Sequence, residues 1–266
     1  GEDALLIAPT GGGKTLGGFL PSLIELAALS ETTPKQRPHR LHTLYISPLK
    51  ALSVDVARNL TTPVADMGLN LRIETRTGDT SPSKRQRQRA SPPDILLTTP
   101  EQLALFCASP NVSTFFADLK HIVIDEIHAL APQKRGDLLS LALAAISRWA
   151  PDARRVGLSA TIKDEGELAR WLTPQNPGEP ERQAAIIRGA AGARPEVEIL
   201  EPEERIPWAG HSARHAMGDV YQRIKAARLA LVFVNTRSQA EFTFQELWRL
   251  NEDKLAIALH HGSLAP

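Results

Sequence analysis

Three glycines, a lysine and a threonine close the stretch "ALLIAPTGGGKT" (residues 4–15), and that set of residue types suits the binding of a polyphosphate. Its spacing follows the phosphate-loop pattern, with Ala8 standing in the first glycine position. Gly11, Gly12 and Gly13 let the backbone turn its N–H groups inward around phosphate oxygens, a turn that a Cβ would hinder. The amino end of the helix that follows adds partial positive charge. Lys14 is then placed to reach the β- and γ-phosphates, and the Thr15 hydroxyl to ligate Mg²⁺. Such a loop serves kinases, GTPases and motors alike, so it indicates the ligand and not the work.

"HIVIDEIHAL" (121–130) narrows the choice. Four residues, His121 to Ile124, lead into Asp125 and Glu126, so the two acids should emerge at the carboxyl end of a buried strand, where open α/β sheets bind ligands. Asp125 suits a hold on Mg²⁺, and Glu126 suits the orientation or deprotonation of a water attacking the γ-phosphate. A kinase has no need of that second acid, whereas a hydrolase does.

These residues need a frame, and the apolar pattern supplies one. "ALLIA" (4–8), "HTLYIS" (42–47), "LRIETRT" (71–77), "DILLTT" (94–99), "HIVIDE" (121–126) and "RRVGLSAT" (154–161) read as buried strands. Helix-length segments at 14–29, 49–60, 100–107 and 135–149 lie between several of them, which predicts an α/β domain with a mostly parallel sheet. Pro and Gly then cluster in "TPQNPGEP" (173–180) and again over 189–211, so a boundary is placed after residue 188: one domain over 1–188 and another beginning at 189. Beyond it the pattern predicts a helix near 213–227, a strand "LALVFVN" (229–235), a helix over 237–250 and a strand "LAIALH" (255–260).

Composition bounds the class without naming a partner. The 266 residues carry a net charge of +1, so any nucleic-acid face must be a local patch. Cys107 is the only cysteine, which rules out an intramolecular disulfide and fits a reducing cytoplasm. No apolar run has the length of a membrane span, and the start lacks the positive charge of a signal peptide. "SPSKRQRQR" (81–89) admits two readings: a basic contact for nucleic acid, or the solvated face of a short helix capped by Ser81 with Pro82 in its first turn. Trp149, Trp171 and Trp248 fit apolar helix faces, while Trp208 has no evident place.

"APTGGGKT", "DEIH" (125–128) and "SAT" (159–161), in this order, resemble the motifs of superfamily 2 helicases. With "SPLKALSVD" (47–55), "RTGDT" (76–80), "TTPEQL" (98–103), "VFVNTRSQAE" (232–241) and "HHGSL" (260–264), the chain resembles the Lhr (large helicase-related) family, in particular its bacterial ligase-associated DEXH-box branch. The resemblance implies a RecA-like P-loop NTPase fold: one complete parallel-sheet domain over 1–188, and the start of a second RecA-like domain over 189–266. It implies ATP and Mg²⁺ as cofactors, with Lys14 and Thr15 as the binding pair, Asp125 as metal ligand and Glu126 as catalytic acid. By the same resemblance His128, Ser159 and Thr161 couple the nucleotide to the grip on nucleic acid, and Pro48, Lys50, Gly78, Thr98, Thr99, Pro100, Thr236, Arg237 and Gly262 lie in segments that follow a nucleic-acid backbone. Hydroxyls and free N–H groups at strand ends suit phosphate oxygens, which carry no sequence information.

The implied activity is ATP-dependent 3′→5′ movement on DNA in DNA repair, with a ligase or nuclease as the kind of partner the family suggests. The family's later second-domain motifs lie beyond "HHGSLAP", so the chain is expected to be a fragment that binds ATP with little turnover of its own. An RNA or RNA–DNA hybrid substrate, and a non-hydrolysing nucleotide- or nucleic-acid-binding module, stand as alternatives.

Overall fold

Alternating apolar runs and amphipathic stretches become a three-layer α/β unit in the structure of this chain, a computed structural model that describes residues 2–9, 11–32, 40–110, 112–160, 164–190, 196–200 and 213–261. By its contacts the chain divides into two units, 1–193 and 194–266.

In the first unit the elements follow one another as β1 (Ala4–Ile7), α1 (Lys14–Thr32), β2 (Thr43–Ile46), α2 (Lys50–Asp66), β3 (Ile73–Arg76), α3 (Pro82–Ala90), β4 (Ile95–Thr98), α4 (Pro100–Cys107), α5 (Val112–Phe116), β5 (His121–Ile124), α6 (Ile127–Leu130), α7 (Lys134–Trp149), β6 (Arg154–Ser159), α8 (Glu165–Leu172) and β7 (Ala185–Arg188). All seven strands join one parallel sheet in the order β3-β4-β2-β5-β6-β1-β7. Strand side chains alternate between its faces. Leu44, Ile46, Leu96, Ile122 and Ile124 pack on one side with α4, α5, α7 and α8. Tyr45, Ile95, Leu97, Val123 and Leu158 pack on the other against Phe19, Leu23 and Leu26 of α1 and Val56, Leu60 and Val64 of α2. Burial on both faces is what lets short, continuously apolar strands form a parallel sheet.

The last strand of the sheet was not legible in the sequence. "AAIIR" follows the Pro-rich 173–180 stretch, yet β7 pairs with β1 from Ala4↔Ala185 to Ile7↔Arg188. The intervening chain is an excursion held by polar contacts: Thr173 Oγ1 donates to Arg182 O (2.7 Å), and the Gln175 amide reaches the same carbonyl (2.8 Å).

The second unit is the smaller of the two. A single 3-10 turn (Ala213–Ala216) leads into α9 (Met217–Ala226), and α10 (Arg237–Leu250) follows. Met217, Tyr221 and Leu247 form a small core to which Leu255 and Ile257 are added. The expected strands at 229–235 and 255–260 are corrected: both stretches lie outside any sheet, because neither has a laddered neighbour among the described residues. An apolar run without hydrogen-bonded neighbours is not a strand.

Trp149 and Trp171 pack against the core, Trp149 stacked on Phe116 with ring centroids 5.9 Å apart. Trp248 departs from the core reading: it is exposed and stacked on Phe244. Trp208 lies outside the described residues. Burial pushes the Cys107 thiol up to about 11, the environment of a packed side chain and not of a nucleophile. No helix among the described residues is long and apolar enough to cross a membrane.

Candidate nucleotide site and neighbouring segments

The loop after β1 has the backbone its glycines allow. Gly11 and Gly13 sit at φ +81° and +74°, a region that side chains with a Cβ enter only at a cost. A Cβ on Gly12 would come within 3.0 Å of Pro9 O. The methyl of Ala8, which stands in the place of the usual glycine, faces Gly189 just after β7, where any Cβ would lie 2.7 Å away. Lys14, the first residue of α1, donates from Nζ to Ala8 O (2.7 Å) and Pro9 O (3.1 Å), so its ammonium lies against the mouth of the loop. Thr15 follows it in the first turn of α1 and is half-buried.

Asp125 and Glu126 leave the carboxyl end of β5, as the sequence predicts. Asp125 is 6 % exposed and held from three sides. Its N–H donates to Ile46 O (2.8 Å), Oδ1 accepts from Glu126 N (2.9 Å), and Oδ2 accepts from the Tyr45 hydroxyl. Burial, together with the Asp125 charge, drives the Tyr45 phenol far above its usual range, so it stays a donor. Glu126 has left-handed backbone at φ +47°, which turns the chain sharply into α6.

Ser159 ties the two stretches together. Its carbonyl accepts from Ala8 N at the start of the phosphate loop (3.2 Å). Its hydroxyl lies 3.1 Å from His128 Nδ1, and His128 Nε2 lies 3.4 Å from a Glu126 carboxylate oxygen. Loop, β6 end, histidine and acid thus form one connected line at the carboxyl edge of the sheet. Thr161 lies outside the described residues.

The other segments of this unit gather on the same edge, where β2, β4 and β3 end. Ser47 N donates to Thr98 O (3.0 Å), and Thr98 Oγ1 donates to Arg76 O (2.8 Å). Thr98, Thr99 and Pro100 are buried, with Thr99 and Pro100 opening α4. Lys50 pairs with Asp79 (3.0 Å), its stem against Gly78, where a Cβ would meet Nζ at 3.1 Å. Pro48 O accepts from Arg135 (2.8 Å), whose guanidinium also grips the Glu101 carboxylate at 2.5 and 3.2 Å. The sequence reading missed Arg135, Glu101 and Tyr45. Arg135 stands 34 residues beyond Glu101 and 87 beyond Pro48, and only the fold brings them together. In the second unit Thr236 caps α10, accepting from Gln239 N (3.1 Å), and Arg237 is its first residue. Gly262 lies outside the described residues.

The basic stretch of α3 is mostly engaged within the protein. Ser81 caps it, with Pro82 at its start. Arg85 donates to Thr77 O and Gly78 O, Arg87 pairs with Glu74, and Arg89 donates to Ser109 Oγ. Buried Arg76 lies 4.1 Å over the Phe106 ring, its guanidinium pushed down to about 10 by burial and by Arg89 and Arg85. These contacts favour the structural reading of α3.

The parallel sheet, the glycine loop and the acids at its carboxyl edge are matched by a family model, DEAD/DEAH box helicase, over residues 1–168. The chain belongs to that family. It is similar over its whole length, at 35 % identity, to the ATP-dependent helicase Lhr-Core of Methanocaldococcus jannaschii, of which it covers 32 %. It is 33 % identical to the Lhr helicase/uracil glycosylase of Escherichia coli, over 90 % of this chain and 17 % of that protein. The chain therefore spans about a third of the length of the Lhr-Core relatives it matches. Among solved structures, Mycobacterium smegmatis helicase Lhr bound to ssDNA and AMP-PNP superposes with a TM-score of 0.79 at 32 % identity, over all of this chain and 35 % of that one. The fold is accordingly that of RecA-like helicases.

Proposed function

We propose that this chain carries the nucleotide-binding part of an ATP-dependent DNA helicase of the Lhr kind, moving 3′→5′ and acting in DNA repair. Residues 1–188 are its ATP-binding domain, and 189–266 begin the second RecA-like domain. The observation that carries the reading is the line from Ala8 through Ser159 and His128 to Glu126. It gives a change at the phosphates a direct route to the acid and to the end of β6.

The donor set fits ATP and Mg²⁺. The loop backbone is bent for inward N–H groups, Lys14 brings a cation to it, and Asp125 is a buried carboxylate beside a half-buried one. Gly11–Gly13 would cradle the phosphates and Lys14 would exchange the Ala8 and Pro9 carbonyls for phosphate oxygens. Thr15 and Asp125 would hold Mg²⁺, which supplies neutralisation of phosphate charge. Tyr45 fixes the rotamer of Asp125. Glu126, turned outward by its left-handed backbone, orients the attacking water and accepts its proton. His128 senses the acid on one side and Ser159 on the other.

Backbone contacts fall to the edge formed by Pro48, Lys50, Gly78 and Thr98–Pro100. Arg135 braces Pro48 against α4, so the two segments would move as one. The similarity to a helicase structure holding ssDNA and AMP-PNP supports DNA as the strand gripped. ATP turnover of the full-length protein, measured alone, with single-stranded DNA and with RNA, tests the reading. DNA stimulation abolished by Glu126→Gln is expected; stimulation by RNA alone would transfer the function to that polymer.

A further inference from the structure

His42, His121 and Glu25 meet at the opposite, amino edge of the sheet, away from the nucleotide loop. His121 opens β5 and Asp125 follows its end, which places the two edges about 13 Å apart along the strand. His42 immediately precedes β2, beside β5 in the sheet, and Glu25 reaches them from α1. Both histidines are buried, at 4 % and 2 % exposure. His121 Nε2 donates to Glu25 Oε2 (2.8 Å), and His42 Nε2 lies 3.5 Å from the same oxygen. One ligand atom from each residue lies within 4.8 Å of the other two.

We propose that Glu25, His42 and His121 form a binding site for a divalent transition metal, Zn²⁺ by ligand type and geometry, that staples α1 to β2 and β5. Two imidazoles and one carboxylate are a zinc donor set, and bonds of about 2.0–2.1 Å around a tetrahedral ion separate ligand atoms by about 3.3 Å. The contacts here straddle that spacing. Closure needs the His121–Glu25 pair to open by roughly half an ångström while His42 approaches.

The surrounding contacts orient the ligands as an outer shell does. Thr43 Oγ1 shares a hydrogen bond with His42 Nδ1 (2.9 Å), which leaves Nε2 directed at the cluster, and Ser22 in turn is bonded to Thr43. Arg154 holds the other oxygen of Glu25 (3.3 Å), so Glu25 would ligate through Oε2 alone. Ligation through His121 Nε2 displaces the proton that it donates to Glu25, and that proton moves to Nδ1 of the same ring, which leaves a neutral imidazole as the ligand. The Glu25 side chain is 37 % exposed, which gives the ion an entry path and a water its fourth position.

Zn²⁺ titrated calorimetrically into the untagged, metal-free 266-residue chain tests this, with Co²⁺ as a spectroscopic probe. The expected result is one ion per chain and a Tm higher by about 5–10 °C at a metal concentration near a hundred times Kd. Co²⁺ should give the ligand-field spectrum of a four-coordinate ion without thiolate charge transfer. Glu25→Gln and His121→Asn should each weaken binding at least about tenfold, whereas the double variant His260→Asn/His261→Asn should keep it. No binding by the parent chain, or unchanged affinity in Glu25→Gln, overturns the site and leaves a hydrogen-bonded His–Glu–His cluster only. Glu25→Gln decides the matter alone if His121→Asn fails to fold. Because the readout is metal binding and not ATP turnover, its failure leaves the nucleotide site untouched.

Discussion

In β2, Leu44, Tyr45 and Ile46 are wholly buried between β4 and β5, each residue in register with a partner on both sides. In the stretch 229–234, no less apolar in sequence, Leu229, Leu231 and Phe233 are 81 %, 74 % and 87 % exposed and paired with nothing in a sheet. Apolarity sets the driving force for a strand but not its partners. A strand's neighbours, and the helices on its faces, decide whether the force is realised. The same holds for chemistry: Asp125 is fixed by groups from β2 and its own turn, whereas Thr236 and Arg237 sit at a helix start whose preceding chain joins no sheet among the described residues.

Hydrogen exchange should separate the two stretches most widely. Amides of β2 and β5 should exchange only through large openings, with protection of about 10⁴ or more, while those of 231–234 should approach free-peptide rates. Comparable protection in both would refute it. Next comes Glu126→Gln, expected to lower ATP turnover of the full-length protein by about 10²–10⁴ with nucleotide affinity kept; a loss of affinity alone would assign the acid to binding. Leu44→Ala should cost about 2–5 kcal/mol in denaturant unfolding, and Phe233→Ala no more than about 0.5 kcal/mol, although phenylalanine is the larger side chain. Equal costs would show that 229–234 is packed in solution. Tyr45→Phe removes one donor from buried Asp125 and should cost about 1–3 kcal/mol, read as a lower Tm. Thr236→Ala should cost about 1 kcal/mol in the same unfolding measurement, through the lost α10 cap.

How much of this was legible follows from the range of each signal. Six strands of the sheet stood in the sequence as apolar runs, and the phosphate loop and acid pair as short motifs, because each is a local pattern of residue types. β7 was not, since its strand character comes from pairing with β1, 181 positions away, and its sequence sits behind prolines. Tyr45 read as one more apolar strand residue, because nothing in "HTLYIS" foretells a hydroxyl aimed at a carboxylate 80 residues on. Arg135 and Glu101 were invisible for the same reason. In the other direction, the arginines of "SKRQRQR" looked like a free basic face, and the fold engages three of them with Glu74, Ser109 and the carbonyls of Thr77 and Gly78.

The strand order has a consequence for synthesis. β1 lies between β6 and β7, so among the described strands it bonds only to the two that follow it at the greatest distance in the chain, beginning at Arg154. At about 5–20 residues per second, roughly 10–30 s pass on the ribosome before β1 meets its first partner. Throughout that interval "ALLI" and its glycine loop are without their sheet neighbours, while β2, β3, β4 and β5 are free to pair among themselves. The nucleotide loop is therefore translated well before the strands that flank β1, and it takes shape only after them.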